Sequence, residues 1–328
     1  MKWLTDSWYR PQLTRFLLLP FSLTYQLVIA CRVLAYRTGL FSSQKLGVPV
    51  IVIGNITVGG TGKTPVVIWL AKQLIQAGFK PGIISRGYGG KAQSYPHLVE
   101  SDSDARVVGD EPVIISQHTN CPMAVSPIRA EAGQLLIDQY DCNIIISDDG
   151  LQHYALERDI EIAVVDGIRF FGNHYCLPAG PLREPLSRLR RVDFVILNGG
   201  PKESHYKMLL QAGAVINLAD TNKTKILADF HDQAVHCVAG IGHPERFFSY
   251  LTSHELIVET HDFADHHDFS ATDLSFDDDK PIIMTEKDAV KCRAFANDKM
   301  WYIPVEASIS GELEKHILTK LVGSKPHG

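Results

Sequence analysis

The chain has 328 residues, 45% of them hydrophobic, enough for one large or two ordinary α/β domains with a filled core. A formal net charge of -5 gives no general attraction for polyanions and excludes a long nucleic-acid footprint. Six cysteines stand too far apart for a CxxC pair or a disulfide scaffold and read as reduced, mostly buried thiols, and fourteen histidines fall into no HExxH or paired Cys/His pattern.

Charge disappears first between Phe16 and Cys31, where FLLLPFSLTYQLVIAC is bounded by Arg15 and Arg32. This run is shorter than the roughly 20 apolar residues of a spanning helix. Pro20, Ser22, Thr24 and Gln26 dilute it, and no small-residue cleavage site follows it. Trp3, Trp8 and Tyr9, with Arg10, Arg15, Arg32 and Arg37, suit a helix over residues 1–40 that lies in the headgroup region of an acidic leaflet. The alternative is an apolar helix packed on the body of the protein.

Beyond Gly47, β-branched runs alternate with amphipathic stretches, the pattern of an α/β fold with a parallel sheet covered by helices. Strands are predicted at 48–53, 82–85, 123–125, 143–147, 160–165 and 194–198. In such a sheet ligands sit beyond the carboxyl ends of the strands. A polar stretch at 218–233, with Asp220, Asn222, Lys223 and Lys225, breaks the rhythm. It predicts a P-loop domain over 41–225 and a smaller α/β unit over 226–328, with strands at 235–239, 256–258, 281–284 and 301–305.

The first of these strands runs into GNITVGGTGKTP at 54–65, and an apolar helical pattern follows at Val66, Leu70 and Leu74. Strand, glycine loop and helix in that order let backbone N–H groups and the positive end of the helix hold the phosphates of a nucleoside triphosphate such as ATP. Thr57, Val58, Gly59, Gly60, Thr61 and Gly62 would form the cradle, Lys63 would reach the outer phosphates, and the Thr64 hydroxyl would ligate Mg²⁺. Pro65 suits the first helical turn. Thr57 stands where a strict GxxxxGK[ST] pattern has its first glycine. Further on, CNIIISDDG is an apolar strand ending in two acids, so Asp148 or Asp149 would hold the metal, directly or through water.

Those parts serve GTPases, motor ATPases and kinases alike. No guanine-reading NKxD stands in register at 222–225 or 286–289, Val58 replaces the lysine of a partition-type KGGxGKT loop, and no ABC signature is present. A kinase of an alcohol needs a base and cations near the transferred group. VGDEP at 108–112 sets Asp110 and Glu111 at the start of a predicted helix, and Arg86, Arg129 and Arg183 stand in loop-like surroundings of Gly, Pro and small residues.

GNITVGGTGKTP, SRGYGG, VGDEP, ISDDGLQH, PAGPLRE, AGIGHPERFF, FADHHDF and TEKDAVK, taken in order, resemble the tetraacyldisaccharide 4'-kinases of lipid A biosynthesis from the apolar N-terminus nearly to the end of the chain. The resemblance implies transfer of the γ-phosphate of ATP, with Mg²⁺, to the 4'-hydroxyl of an acylated glucosamine disaccharide 1-phosphate, giving lipid IVA. It implies work at the cytoplasmic face of the bacterial inner membrane, with no nucleic acid and no protein partner evident. By the same resemblance Asp110 is the base, tuned by His266 of the DHH motif, while Glu111, Arg129 and Arg183 lie near the reacting groups and a threonine at 57 is in keeping with the loop. An Asp and a His from different domains pair only when the cleft closes, which would couple catalysis to binding. The alternative from another class is a membrane-anchored P-loop regulatory ATPase, hydrolysing ATP without a sugar acceptor.

Overall fold

The computed structural model describes residues 8–9, 14–201 and 203–323; Trp3 and Arg10 lie outside them, as does the side chain of Arg15. Helix α1 (Thr14–Arg37) is longer than the charge-free run, because it continues through Arg32 to Arg37. Its stretch Phe16–Arg37 is therefore long and apolar enough to cross a membrane, a correction to the length read from the sequence. The faces of α1 are reversed relative to an ordinary surface helix. Ser22 is fully covered and gives its Oγ proton to the Cys176 carbonyl at 2.8 Å, and Tyr25 donates to the Arg183 carbonyl at 3.1 Å. Phe16, Leu17, Phe21, Leu23, Leu27, Val28 and Leu34 point outward and are exposed. Near its start, Trp8 is buried with Nε1 3.0 Å from the Pro178 carbonyl, and the Arg169 guanidinium lies over the Tyr9 ring.

The first sheet is built from β1 (Val50–Gly54), β2 (Pro81–Ser85), β3 (His97–Val99), β4 (Met123–Val125), β5 (Ile144–Ser147), β6 (Ile160–Asp166), β7 (Phe194–Asn198) and β8 (Tyr206–Ala212). A second sheet contains β9 (Val215–Asn217), β10 (Thr224–Lys225), β11 (Ala234–Ala239), β12 (Ile257–Asp262), β13 (Ile282–Thr285) and β14 (Met300–Ile303), after which β15 (Val305–Ile309) rejoins the first. In space the orders are β15-β8-β7-β6-β1-β5-β2-β4-β3 and β10-β9-β14-β13-β11-β12. Strand β1 pairs in parallel with β5 and β6, and its β-branched run is buried on both faces, which is why it reads as continuous rather than alternating apolar sequence. Helix α2 (Lys63–Gln76) lays Val66, Val67, Leu70 and Leu74 on Ile51 and Ile53; on the other face Val52 and Ile145 meet Ala132 and Leu136 of α5 (Arg129–Tyr140).

Sheet membership differs from the expected division after residue 225. Strands β9 and β10 already belong to the second sheet, where β9 runs antiparallel to β14 with Asn217 beside Trp301. The polar stretch begins as the turn from β9 to β10 inside that unit, closed by Lys223 N–H on the Asp220 carbonyl, and continues through β10. At the far end β15 pairs antiparallel with β8, and the final helix buries Leu313, Ile317 and Leu321 in the core of the first sheet. The single strand predicted at 301–305 is two strands, separated at Pro304, which has no N–H for a ladder. Strands β3, β9 and β10 have two or three residues each, too few to leave a period in the sequence.

Candidate active site

The loop after β1 is braced from three sides. Val58 N–H donates to the Pro181 carbonyl at 2.9 Å, and Arg183 N–H donates to the Ile56 carbonyl at 2.7 Å, so the PAGPLRE segment runs alongside Thr57 as a short bridge. Asn198, at the end of β7, gives Nδ2–H to the Thr61 carbonyl at 2.9 Å, and Arg169 reaches the Gly60 carbonyl at 2.8 Å while Asp166 holds its Nε. These bonds turn carbonyls outward and leave the N–H groups at the start of α2 for an anion. Gly62 has φ of 89°, and a Cβ there would stand 2.5 Å from Asn198 Nδ2, so no other residue fits.

Lys63 and the two acids after β5 meet beyond the sheet. Lys63 Nζ lies 3.7 Å from Asp149 Oδ1, and Arg183 Nη1 contacts both Asp149 oxygens at 3.2 and 2.9 Å. Burial would raise the Asp149 carboxyl, but Lys63 and Arg183 outweigh it and hold it below its ordinary value. Asp148 is buried, with no partner on Oδ1 and only Ser85 Oγ, 3.4 Å away, on Oδ2. Burial, then the neighbouring Glu111 and Asp149 charges, push its pKa up to about 7. Arg129 is also buried and donates to the Ser126 and Asp148 carbonyls at 3.3 and 3.4 Å, clamping the backbone that presents the acids.

A second cluster faces this one. Helices α3 (Ala105–Val108) and α4 (Asp110–Thr119) abut at Gly109, whose φ is 95°. A Cβ at Gly109 would stand 2.7 Å from the Tyr88 carbonyl, so the SRGYGG loop packs directly on the start of α4. Asp110, buried at 5% exposure, opens α4 and accepts from Glu111 N–H at 2.9 Å on Oδ1. Its Oδ2 lies 3.0 Å from His266 Nδ1, in the loop after β12. Burial would raise the Asp110 carboxyl; the His266 hydrogen bond and the Lys287 charge reverse this and hold it below its ordinary value. The same hydrogen bond raises the His266 imidazole, against burial and Lys287. His267 turns away, 3.4 Å from Asp273.

Between the clusters is a cavity of about 440 Å³. One wall is Gly60 to Pro65 with Asp166 and Asn198; another is Gly242, His243, Arg246 and Phe247 of the second unit, with Phe247 at the start of α6 (Pro244–Ser253); a third is Thr285 to Lys287, entering α7 (Glu286–Cys292). Leu210, Tyr250, Ile303 and Val305 make its apolar end. The shape suits a nucleotide with its phosphates on the loop and its base between the units.

The sequence pattern of the family described as tetraacyldisaccharide-1-P 4'-kinase matches residues 14–322. The chain belongs to this family. Among its relatives, the tetraacyldisaccharide 4'-kinase of Nitrosococcus oceani is 52% identical over 314 residues, 96% of this chain and 93% of that one. The enzyme of the same name from Methylobacillus flagellatus is 51% identical over 322 residues, 98% and 96% of the two chains. Of solved structures, the "apo" form LpxK from Aquifex aeolicus in complex with ATP matches with a TM-score of 0.79 at 28% identity, covering 94% of this chain and 100% of that one.

For a member of this kinase family, the residues singled out from sequence fall into groups. Thr57 through Thr64 line the loop, with Asp148, Asp149, Arg129 and Arg183 beyond it; Asp110, Glu111 and His266 form the facing cluster. Arg129 contacts backbone carbonyls rather than carboxylates, and Arg183 is engaged with Asp149. Sequence reasoning assigned no role to Lys287, Asn198, the Asp166–Arg169 pair or the GHPERFF segment. Asp166 and Asn198 end parallel strands and Lys287 lies two residues beyond the end of another, so the rule that ligands sit at the carboxyl ends of strands could have found all three.

Proposed function

We propose that the chain transfers the γ-phosphate of ATP to the 4'-hydroxyl of a tetraacyldisaccharide 1-phosphate, the lipid A precursor, with Asp110 as the base. The observation that carries the reading is the Asp110–His266 pair, 3.0 Å apart, whose neighbours Glu111, Asp265 and Lys287 line the same cavity as Gly60 to Thr64 of the braced phosphate loop. His266 and the Glu111 N–H each hold one carboxylate oxygen, which fixes the plane of the carboxylate. Asp110 takes the hydroxyl proton while the sugar oxygen bonds to the γ-phosphorus and the bond to the β,γ-bridging oxygen breaks. Lys63 faces the charge that collects on the transferring group, and Arg183 and Arg129 lower the field of the two acids behind it.

The acids fit Mg²⁺, since Asp148 Oδ1 is a buried oxygen without a partner and its proton affinity is already raised. Thr64, Asp148 and Asp149 would hold the ion, Asp148 being the freer acid. Bound there, Mg²⁺ neutralises phosphate charge. Helix α1 supports attachment at the cytoplasmic face of the inner membrane: Ser22 and Tyr25 dock on the body while Phe16, Leu17, Phe21, Leu23, Leu27 and Val28 face out, as lipid surroundings would require. Tyr25 joins that helix to the backbone of Arg183, so the acyl-side surface and the site share one loop.

The test incubates the purified full-length protein with labelled ATP, Mg²⁺ and tetraacyldisaccharide 1-phosphate in vesicles containing anionic lipid. Label is expected in the lipid, lost with a chelator, and the protein is expected to float with the vesicles. ATP hydrolysis without labelled lipid would overturn the kinase reading in favour of a regulatory ATPase, and labelled lipid with no flotation would overturn membrane attachment.

A further inference from the structure

Lys287 is the second residue of α7, and its ammonium enters the facing cluster from the second unit. Nζ lies 3.3 Å from His266 Nε2, 3.4 Å from Glu111 Oε1, 3.4 Å from Asp265 Oδ1 and 3.9 Å from Asp110 Oδ2. Three carboxylates and an imidazole thus converge on one cation. The other nearby lysines face elsewhere, Lys291 to Asp288 at 2.9 Å and Lys63 to Asp149.

An ammonium has only protons to offer. At 3.3 Å it can face the imidazole Nε2 only where that nitrogen presents its lone pair, which leaves the ring proton on Nδ1, pointing at Asp110 Oδ2. Asp265 Oδ1, 3.9 Å from the same Nε2, would favour the opposite tautomer, and Lys287 pairs with that carboxylate as well. The Tyr88 ring meets the imidazole edge-on at 5.2 Å.

We propose that Lys287 is a positioning residue for phosphoryl transfer: by donating to His266 Nε2 it fixes the Nδ1–H tautomer that holds the Asp110 carboxylate across the contact between the two units. The proposal rests on the reading of Asp110 as the base. Burial would discharge the Lys287 ammonium, but the Glu111, Asp110 and Asp265 charges reverse this and raise its pKa, so the cation persists across the working range. Its charge in turn opposes protonation of both Asp110 and His266.

The experiment compares Lys287→Met, Lys287→Arg, Asp110→Asn and the Lys287→Met/Asp110→Asn double variant in the full-length protein, with thermal midpoints as the folding control. Lys287→Met is expected to lower kcat on the order of 10- to 100-fold, with the KM for ATP changed less than about threefold. The acid limb of its pH–rate profile should move to higher pH, because a cation opposing protonation has gone, and Lys287→Arg should restore the limb. The ¹⁵N shifts of the His266 ring should report Nδ1–H in the parent and lose that signature in Lys287→Met. In the Asp110→Asn background Lys287→Met should cost almost nothing further. An unshifted limb with unchanged ring signals, or additive losses in the double variant, would overturn the proposal. An active Asp110→Asn enzyme would instead sink the base assignment, and the ring shifts would still decide the tautomer.

Discussion

The two halves of the cavity are supported differently. The phosphate loop is held by neighbours within one sheet, through Asn198 on Thr61, Arg169 on Gly60, and the Arg183 segment on Ile56. The facing cluster is shared: Asp110 and Glu111 come from the first unit, and Asp265, His266 and Lys287 from the second. The difference separates donor from acceptor chemistry. The phosphate loop is built within one unit, whereas Asp110, the proposed base, meets His266 only across the contact between the two units.

Asp110→Asn should break the comparison most severely, lowering kcat by about 10²- to 10⁴-fold with little change in the KM for ATP. Lys63→Ala should cost about 10²- to 10³-fold and fall on nucleotide use itself, so steady-state kinetics with ATP varied distinguishes the two halves. Equal effects of both variants on the KM for ATP would mean that the halves are not separate.

Asn198→Ala removes one brace of the loop, worth about 1 kcal/mol. It should raise the KM for ATP about fivefold and leave the pH–rate profile unchanged. A profile altered by Asn198→Ala would show that the loop and the shared cluster are coupled.

The smallest effect concerns the contact between units. His118 on α4 and Glu286 on α7 are 2.7 Å apart, and the Glu286 hydrogen bond raises the imidazole against burial. A raised folded-state pKa contributes stability that is fully present below the ordinary value of about 6.5 and is lost as pH rises through the raised one. The pair is partly solvated, so about 1 kcal/mol or less is involved. His118→Gln should lower the thermal midpoint at pH 6 and converge on the parent at alkaline pH; a constant offset at both would exclude the linkage.

Much of the phosphate half was legible because its chemistry is local. Gly59 to Thr64 follow a buried strand and open a helix, and Asp148 and Asp149 end another, so chain order alone set them at the carboxyl edge of a sheet. The facing half was not legible from spacing. Asp110 and His266 are 156 positions apart, and their pairing entered through family resemblance. Lys287 lies within the TEKDAVK motif, but no role followed from that membership, since a lysine opening a short helix is ordinarily solvated.

By itself the sequence determined the α/β pattern, the phosphate cradle, the apolar helix and the family, because periodicity, loop glycines and ordered motifs are properties of neighbours along the chain. Tertiary structure decided that the chain returns through β15 to its first sheet, that α1 docks by Ser22 and Tyr25 with its leucines outward, and that one ammonium sits among Asp110, Glu111, Asp265 and His266. Those arrangements join residues far apart along the chain, and only tertiary packing, including that of α4 on α7 between the units, brings such groups within hydrogen-bonding reach.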